Sequence, residues 1–215
     1  SIEDAGSLAK NLGIEHSEIS IKEMYESFSL ALKESFEGMG IDKTEENLQS
    51  RCRGVTLMAL SNKLGFLVLT TGNKSEAAVG YSTLYGDTAG GFSVLKDVSK
   101  TLVYELANYR NSLSVVIPKR IIERPPSAEL APDQKDTDSL PDYDRLDPII
   151  EMYVEDDKSI QEIINEGFDE KEVRRIVSLI DFNEYKRRQA PLGIKISDRN
   201  FGKDRRYPIT NSWKP

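Results

Sequence analysis

The sequence feature that most restricts the fold is a short apolar run, GFLVLTT (65–71), which ends directly at Gly72. A run of this length between turn residues is typical of a strand buried in a parallel sheet. Helical patterns precede and follow it, over 44–62 and 99–109. This alternation predicts an α/β sheet with helices on both faces, and ligands in such sheets bind beyond the carboxyl ends of the strands. The loop after Thr71 is therefore the first place to look for a site.

The rest of the chain divides into helical patterns and irregular stretches. Isoleucines alternate with polar residues over 14–21, which predicts a short strand. The proline-rich stretch 111–145 predicts a long ordered loop or a lid over a site. We expect 1–215 to form one domain, with 144–215 as its helical and basic C-terminal part. Further predicted elements are helices over 1–12 (N-cap Ser1), 22–37, 144–155, 159–166 (N-cap Ser159) and 169–187 (N-cap Asp169), an N-cap at Ser99, and an irregular basic tail over 188–215.

Composition excludes several classes of protein. The net charge of −7 argues against a dedicated nucleic-acid binder. No apolar run approaches the ~20 residues of a membrane span, and the first residues do not resemble a signal peptide, so we expect a cytoplasmic protein. The single cysteine, Cys52, fits a reducing compartment and stands among apolar helix positions, as a core residue does. The single histidine, His16, argues against a His-rich metal site and a Ser-His-Asp triad.

The loop after the apolar run, TGNKSE (71–76), contains residue types that suit a nucleotide site. Thr71 can hydrogen-bond a nucleotide, Gly72 permits a tight turn with exposed amides, and Glu76 offers a hard oxygen for Mg²⁺. The alternative is a helix N-terminus with a threonine cap and an acidic first turn. Spacing alone does not separate the two interpretations.

Two other segments carry weaker signals of the same kind. The loop YGDTAGG (85–91) contains Asp87 among glycines, which suits either a phosphate or a plain surface turn. Asn47 and Arg51 lie four residues apart on one helix face. They could contact an anionic dinucleotide, or they could belong to an ordinary solvated stripe.

Basic residues gather at two places near the C-terminus, in YKRRQAP (185–191) and FGKDRR (201–206). Cations stabilise a helix C-terminus without any ligand. In a chain that is acidic overall, two such clusters also suit local recognition of phosphates.

Taken in order, these segments resemble one family, the synthetase domain of glutamine-dependent NAD synthases. The resemblance covers nearly the whole chain from about residue 40. The matching segments are ENLQSRCRG (46–54), LTTGNKSEAAVGYSTLYGDTAGGFSVLKDVSKTLVYELANYRN (69–111), RPPSAELAPDQKDTDSLPDYDRLD (124–147), NEYKRRQAP (183–191) and FGKDRRYPITN (201–211).

The resemblance implies a three-layer αβα parallel sheet of the adenine nucleotide alpha hydrolase (ATP pyrophosphatase) type, truncated at its N-terminus and with a helical C-terminal extension. It also implies a ligase reaction. ATP adenylates the nicotinate carboxylate of deamido-NAD with release of pyrophosphate, and ammonia then displaces AMP to give NAD. ATP and Mg²⁺ are required, with no prosthetic group and no covalent protein nucleophile. A homodimer or larger homo-oligomer is expected, without nucleic-acid or membrane partners.

The resemblance also implies roles for individual residues. Glu76 is expected to contact Mg²⁺ or deamido-NAD, and Lys203 and Asp204 are weaker candidates. Tyr185 departs from the histidine that smaller ammonia-using relatives carry before the lysine. The expected ATP contacts are Thr71, Lys100 and Ser127. The expected deamido-NAD contacts are Asn47, Arg51, Glu76, Tyr81, Ser82, Thr83, Leu84, Asp87 and Lys186.

One departure from the family is large. The pyrophosphate loop Ser-Gly-Gly-x-Asp-Ser does not occur in the 215 residues, nor does a glutaminase domain. We therefore expect a fragment of a longer enzyme, inactive by itself, whose parent chain supplies ammonia from glutamine. Two alternatives remain at this point: another amidating synthetase of the ATP pyrophosphatase class, such as a GMP or asparagine synthetase, and a non-catalytic assembly module.

Overall fold

The computed structural model describes residues 2–131 and 133–212 and contains a small parallel sheet. Within those residues the sheet has three strands in the order β1 (Leu69–Thr70), β2 (Phe92–Ser93) and β3 (Leu192–Gly193). Both pairings are parallel. The predicted parallel strand is thus confirmed, although it is shorter than the apolar run that predicted it.

The prediction that this strand is buried was wrong. Leu67 and Leu69 are 65% and 54% exposed. Among the described residues β1 stands at the edge of the sheet and pairs with β2 on one side, so its apolar side chains are not covered. Within β1, Thr70 at the carboxyl end is the buried residue.

Helices make up most of the described residues, and most follow the predicted pattern. No helix within the described residues combines the length and apolar character needed to span a bilayer. The α-helices are α1 (Ile2–Leu12), α2 (Lys22–Leu32), α3 (Lys43–Leu64), α4 (Lys74–Val79), α5 (Lys100–Leu113), α6 (Lys119–Glu123), α7 (Tyr143–Ile150), α8 (Ile160–Asn165), α9 (Glu170–Phe182) and α10 (Glu184–Arg187), with a 3₁₀ turn at Asp136–Asp138 and a π-helix at Glu151–Glu155.

Three predicted stretches differ from the structure. Residues 14–21 form no strand, and Ile14 and Ile19 are more than half exposed, since no strand among the described residues pairs with them. The predicted helix 22–37 ends as α2 at Leu32 and continues as turns. The tail was predicted to be irregular, but it contributes β3 to the sheet. Ser1, the predicted first cap, lies outside the described residues.

The core lies among the C-terminal helices, directly beneath α4. In α9, Val173, Ile176, Val177 and Ile180 recur at helical spacing and are completely buried. They pack with α7 and α8 and with the buried side of α4. The site described below therefore rests on the best-packed part of the protein.

Replacing the N-cap of α9 should lower stability measurably. The Asp169 side chain accepts a hydrogen bond from the Glu172 amide at 3.0 Å, as its position predicted. Asp169→Ala is expected to lower the free energy of unfolding by about 1 kcal/mol, the usual value for a lost N-cap. Urea denaturation measures the change. Lys171→Ala, at an exposed position in the same turn, is the control, and an equal loss in both variants would contradict the assignment.

Candidate functional site

An open cavity of about 740 Å³ lies beyond the carboxyl end of β1. It is bounded by α3, the start of α4, the loop over 80–87, the start of α5 and residues of 127–131 and 133–139. With Lys186 of α10, which also lines it, the cavity collects residues from parts of the chain that are far apart in sequence. The predicted site residues in its wall are Asn47, Thr71, Glu76, Tyr81, Ser82, Thr83, Asp87, Lys100, Ser127 and Lys186.

The remaining sequence candidates lie elsewhere. Arg51 stands beside the cavity, where its Nε donates to the Leu84 carbonyl at 3.2 Å. Asp204 pairs with Lys195 at 2.7 Å, and Lys203 is exposed. Neither Lys203 nor Asp204 lines this cavity.

Asn73 caps helix α4, and the threonine cap considered from the sequence at Thr71 does not form. The Asn73 side chain accepts from the Glu76 amide at 2.9 Å, and Glu76 Oε2 accepts from the Asn73 amide at 3.3 Å. This is a capping box, and its Asn-x-x-Glu spacing was visible in the sequence. Thr71 is thereby left exposed at the cavity wall.

The other oxygen of Glu76 faces the start of α5. Glu76 Oε1 lies 3.0 Å from Lys100 Nζ, and both side chains are less than one-fifth exposed. Lys100 is the first residue of α5, which Ser99 caps by accepting from the Leu102 amide at 3.3 Å. A carboxylate and an ammonium group from different helices thus meet at one edge of the cavity.

Helix α3 holds the loop over 83–87 through side chains that face it. Asn47 Oδ1 accepts from the Thr83 hydroxyl at 2.8 Å, and Ser50 Oγ accepts from the Asp87 amide at 3.0 Å. Gly54 is required here, because a Cβ at that position would meet the Tyr85 and Gly86 carbonyl oxygens at 2.9 Å. Sequence reasoning missed Ser50 and Gly54, whose role depends on contact between distant segments.

Lys186 holds the start of the loop over 80–87 through hydrogen bonds to its backbone. Its Nζ donates to the carbonyl oxygens of Gly80 and Ser82, both at 2.7 Å. Gly80 has a φ of 70°, and a Cβ there would overlap Asn183, whose side-chain amide donates to the Val79 carbonyl at 2.9 Å. Within the basic cluster, Lys186 thus binds backbone carbonyls and also reaches the large cavity, whereas Arg187 and Arg188 pair with the Glu184 carboxylate.

The charges of Asp87 and Lys186 are close enough to affect the pKa of each other's side chain. Asp87 is reached by water from the open cavity, yet the protein around it raises the pKa of its carboxyl, because burial disfavours the charge; the Thr83 amide at 2.6 Å and the Lys186 charge oppose this shift. Burial lowers the pKa of Lys186, and Asp87 opposes that shift. A ligand that fills the cavity would displace the water that solvates both groups.

The raised pKa of Asp87 has a consequence for stability. A carboxyl whose folded pKa is raised stabilises the fold below its ordinary pKa of 3.8, and that contribution is lost as the pH rises through the folded pKa. Asp87→Asn removes the titration. Its stability relative to the parent protein should therefore be higher at about pH 7 than at about pH 4. Urea denaturation at both pH values tests this. The control is Asp144→Asn at an exposed position, and an equal trend in both variants would contradict the assignment.

Residues of 127–131 and 133–139 line the cavity from the other side. Ser127 Oγ accepts from the Glu129 amide at 3.0 Å. Two bonds anchor the segment to α3: Gln49 donates to the Leu130 carbonyl at 3.1 Å, and Gln134 donates to Glu46 at 3.3 Å. The stretch 111–145 was predicted to be a long ordered loop or a lid, and these two bonds fasten part of it to the helix that carries Asn47.

Tyr81 and the buried Asp136 line this side of the cavity, and Tyr143 lies behind Asp136. Asp136 is 3% exposed and accepts from the Tyr143 hydroxyl at 2.7 Å. Burial and the nearby Asp136 charge raise the pKa of Tyr81 and of Tyr143, so both stay protonated. Sequence reasoning missed Asp136, because a buried role was not expected within a polar, charge-rich stretch.

Comparison with known proteins then decides the family. The sequence profile of the NAD synthase family matches residues 1–190. The chain belongs to the NAD synthase family. Over the whole chain it is 57% identical to a glutamine-dependent NAD(+) synthetase from Acinetobacter baylyi, of which it covers 40%.

Solved structures of NAD synthases and related synthetases have the same fold. A glutamine-dependent NAD+ synthetase from Acinetobacter baumannii, in complex with adenosine diphosphate, is 50% identical over 99% of this chain and 38% of its own, with a TM-score of 0.57. An NMN synthetase from Francisella tularensis is 31% identical over 86% of this chain and 69% of its own, with a TM-score of 0.70. The expected α/β fold of the adenine nucleotide alpha hydrolase type is thereby confirmed. The chain spans about 40% of the length of the curated relatives.

Proposed function

We propose that this protein takes part in the ATP-dependent amidation of deamido-NAD to NAD. The observation that carries the proposal is the cavity, whose wall contains ten of the residues to which the family resemblance assigns nucleotide contacts. A cavity of about 740 Å³ is within the range of sites for small molecules and cofactors.

The two nucleotides are assigned to different walls of the cavity. Deamido-NAD is proposed to lie along α3 and the loop over 81–87, with Asn47, Asp87 and Lys186 as contacts. ATP is proposed to lie toward α5, with Thr71, Lys100 and Ser127 as contacts. The Glu76–Lys100 pair stands between these walls, where the α-phosphate of ATP and the nicotinate carboxylate must meet.

The proposed chemistry requires charge neutralisation more than a protein nucleophile. The nicotinate carboxylate attacks the α-phosphorus of ATP, pyrophosphate leaves, and ammonia then attacks the mixed anhydride so that AMP leaves. Several anionic oxygens converge in the first step, and Lys100 and Lys186 supply positive charge at the cavity wall. Cys52, the sole cysteine, is 2% exposed in the core and is no candidate nucleophile.

The donor set fits Mg²⁺ held mainly by substrate. Mg²⁺ in nucleotide enzymes is usually bound through one or two carboxylates together with phosphates and water. Glu76 offers such a carboxylate, while the described residues contain no cluster of three or more His, Cys, Asp or Glu side chains. When bound, the ion would neutralise phosphate oxygens, and Glu76 would hold it.

Ammonia supply and assembly complete the proposal. We propose that ammonia comes from glutamine through a separate glutaminase domain, and that the 215 residues alone bind deamido-NAD without converting it, because they lack the Ser-Gly-Gly-x-Asp-Ser loop. A homodimer or larger homo-oligomer is supported by the exposed apolar side chains of α3, including Val55, Leu57 and Leu64.

Product stoichiometry tests the proposed reaction. The product of the complete reading frame is incubated with deamido-NAD, ATP, Mg²⁺ and either glutamine or ammonium. NAD, AMP and pyrophosphate should form in equal amounts, whereas formation of ADP and phosphate would contradict adenylation. Xanthosine monophosphate and nicotinate mononucleotide replace deamido-NAD in parallel reactions. Faster turnover of either one would contradict the assignment of the substrate.

A further inference from the structure

A buried aspartate on α7 touches the starts of two helices that the proposed site uses. Asp147 is 7% exposed. Its Oδ2 accepts from the Thr101 amide at 2.9 Å and from the Thr101 hydroxyl at 2.8 Å. Its Oδ1 accepts from the Ser75 hydroxyl. One carboxylate thus joins the first turn of α5 to the first turn of α4.

Ser75 completes the connection. It is fully buried. Its Oγ accepts a hydrogen bond from the Lys100 amide at 2.8 Å, and its hydroxyl donates a hydrogen bond to Asp147. The amides of Lys100 and Thr101 belong to the first turn of α5, where no intrahelical carbonyl is available to them. Ser75 and Asp147 satisfy both amides, and the negative charge also suits a helix N-terminus.

The connection fixes the distance between the two charged residues of the proposed site. Ser75 is followed directly by Glu76, and Thr101 is preceded directly by Lys100. Each partner of Asp147 is thus the chain neighbour of one member of the pair whose atoms meet at 3.0 Å. We infer that Asp147, through Ser75 and Thr101, is the positioning residue for the Glu76–Lys100 pair. This inference rests on the proposed function only for its effect on turnover.

A merely structural role for Asp147 would have different consequences. If Asp147 only stabilised the core beneath the site, its removal would loosen the half-buried lysines of the site together. If it positions the pair, its removal should free Lys100 and leave Lys186 in place, since Lys186 is held by the Gly80 and Ser82 carbonyls at the C-terminal end of α4.

Lysine labelling tests the inference without any substrate. The chain is treated with a small amine-modifying reagent, and the modification rates of individual lysines are followed by peptide mass spectrometry. In Asp147→Asn, the rate at Lys100 should rise about fivefold, the factor that corresponds to the loss of one ordinary net hydrogen bond. The rate at Lys186 should stay constant, as should that at exposed Lys119. Asp144→Asn on the same helix, at an exposed position, should change nothing.

A second variant protects the test against misfolding. Thr101→Val removes the hydroxyl but keeps the amide, so the modification rate at Lys100 should rise by a smaller factor than in Asp147→Asn. Thr101→Ser keeps a hydroxyl and should show the modification rate of the parent protein. Equal rates at Lys100 in Asp147→Asn and the parent, or a parallel rise at Lys186, would overturn the inference.

Turnover separates this inference from the proposed function. In the product of the complete reading frame, Asp147→Asn should lower kcat for NAD formation about tenfold, while KM for deamido-NAD stays within about twofold. Failure of the parent protein to form NAD would refute the proposed function, and the labelling result would still decide the role of Asp147. A rise in KM for deamido-NAD with unchanged kcat would refute the positioning role.

Discussion

Glu76→Gln is expected to lower kcat/KM for NAD formation by about 10²–10³-fold, the range seen when one preorganised electrostatic contact is removed. Glutamine has the same shape, so its side-chain oxygen can keep the bond to the Asn73 amide that closes the capping box. What it loses is the charge, which faces Lys100 at 3.0 Å and which we assign to Mg²⁺. The substitution therefore separates the structural role of Glu76 from its proposed chemical role.

Activity and stability must be measured together for this variant. NAD formation is measured in the product of the complete reading frame, and the thermal midpoint is measured on the same preparation. We expect the activity to fall while the midpoint stays close to that of the parent. Glu105→Gln, at an exposed position on α5, is the matched control. Activity within a few-fold of the parent in Glu76→Gln would rule out the assigned role.

Of the variants considered, Glu184→Ala should cause the largest loss in the free energy of unfolding. Glu184 is 2% exposed, and its Oε2 lies 3.1 Å from the buried guanidinium of Arg187. Its Oε1 binds Arg188 at 2.6 Å. Removing one member of a buried ion pair leaves the other charge uncompensated, which costs about 3–5 kcal/mol. Because Arg187 also donates to the Ala78 carbonyl at 2.7 Å, the loss should spread to α4 and the site.

Urea denaturation of a matched pair of variants measures this effect. Glu123 forms an exposed ion pair with Lys119 at 2.9 Å, four residues apart on α6. Exposed pairs of this type contribute about 0.3–0.5 kcal/mol. Glu123→Ala should therefore leave the free energy of unfolding nearly unchanged. Similar losses in Glu123→Ala and Glu184→Ala would mean that burial of Glu184 does not determine its contribution.

Local chemistry explains which parts of the fold the sequence predicts. The caps at Ser99, Ser159 and Asp169 were predicted correctly, because a cap depends on residues within one turn. The parallel pairing of the strand predicted over 65–71 was correct, but its predicted burial was wrong. Its burial depends on which strands lie beside it, and that information is not in the run itself.

The same distinction applies to the site. The family resemblance identified Glu76 and Lys100, and the structure brings them into contact. Composition and spacing alone do not assign a functional role to either residue. Ser75 and Asp147 were not predicted, because they meet only when α4, α5 and α7 pack together. Residues that act by supporting others leave weak local signals, since their partners lie 25–72 positions away in sequence.

Titration calorimetry of deamido-NAD into the 215-residue chain tests the central claim most directly. We expect one site per chain, with binding weakened at least tenfold by Lys186→Met. Glu123→Ala should bind as the parent does, because Glu123 lies on α6 and is not part of the cavity wall. Xanthosine monophosphate should give no saturable heat. Absence of saturable deamido-NAD binding to the folded chain, or equal binding by the Lys186→Met variant, would contradict the assignment of this cavity to deamido-NAD.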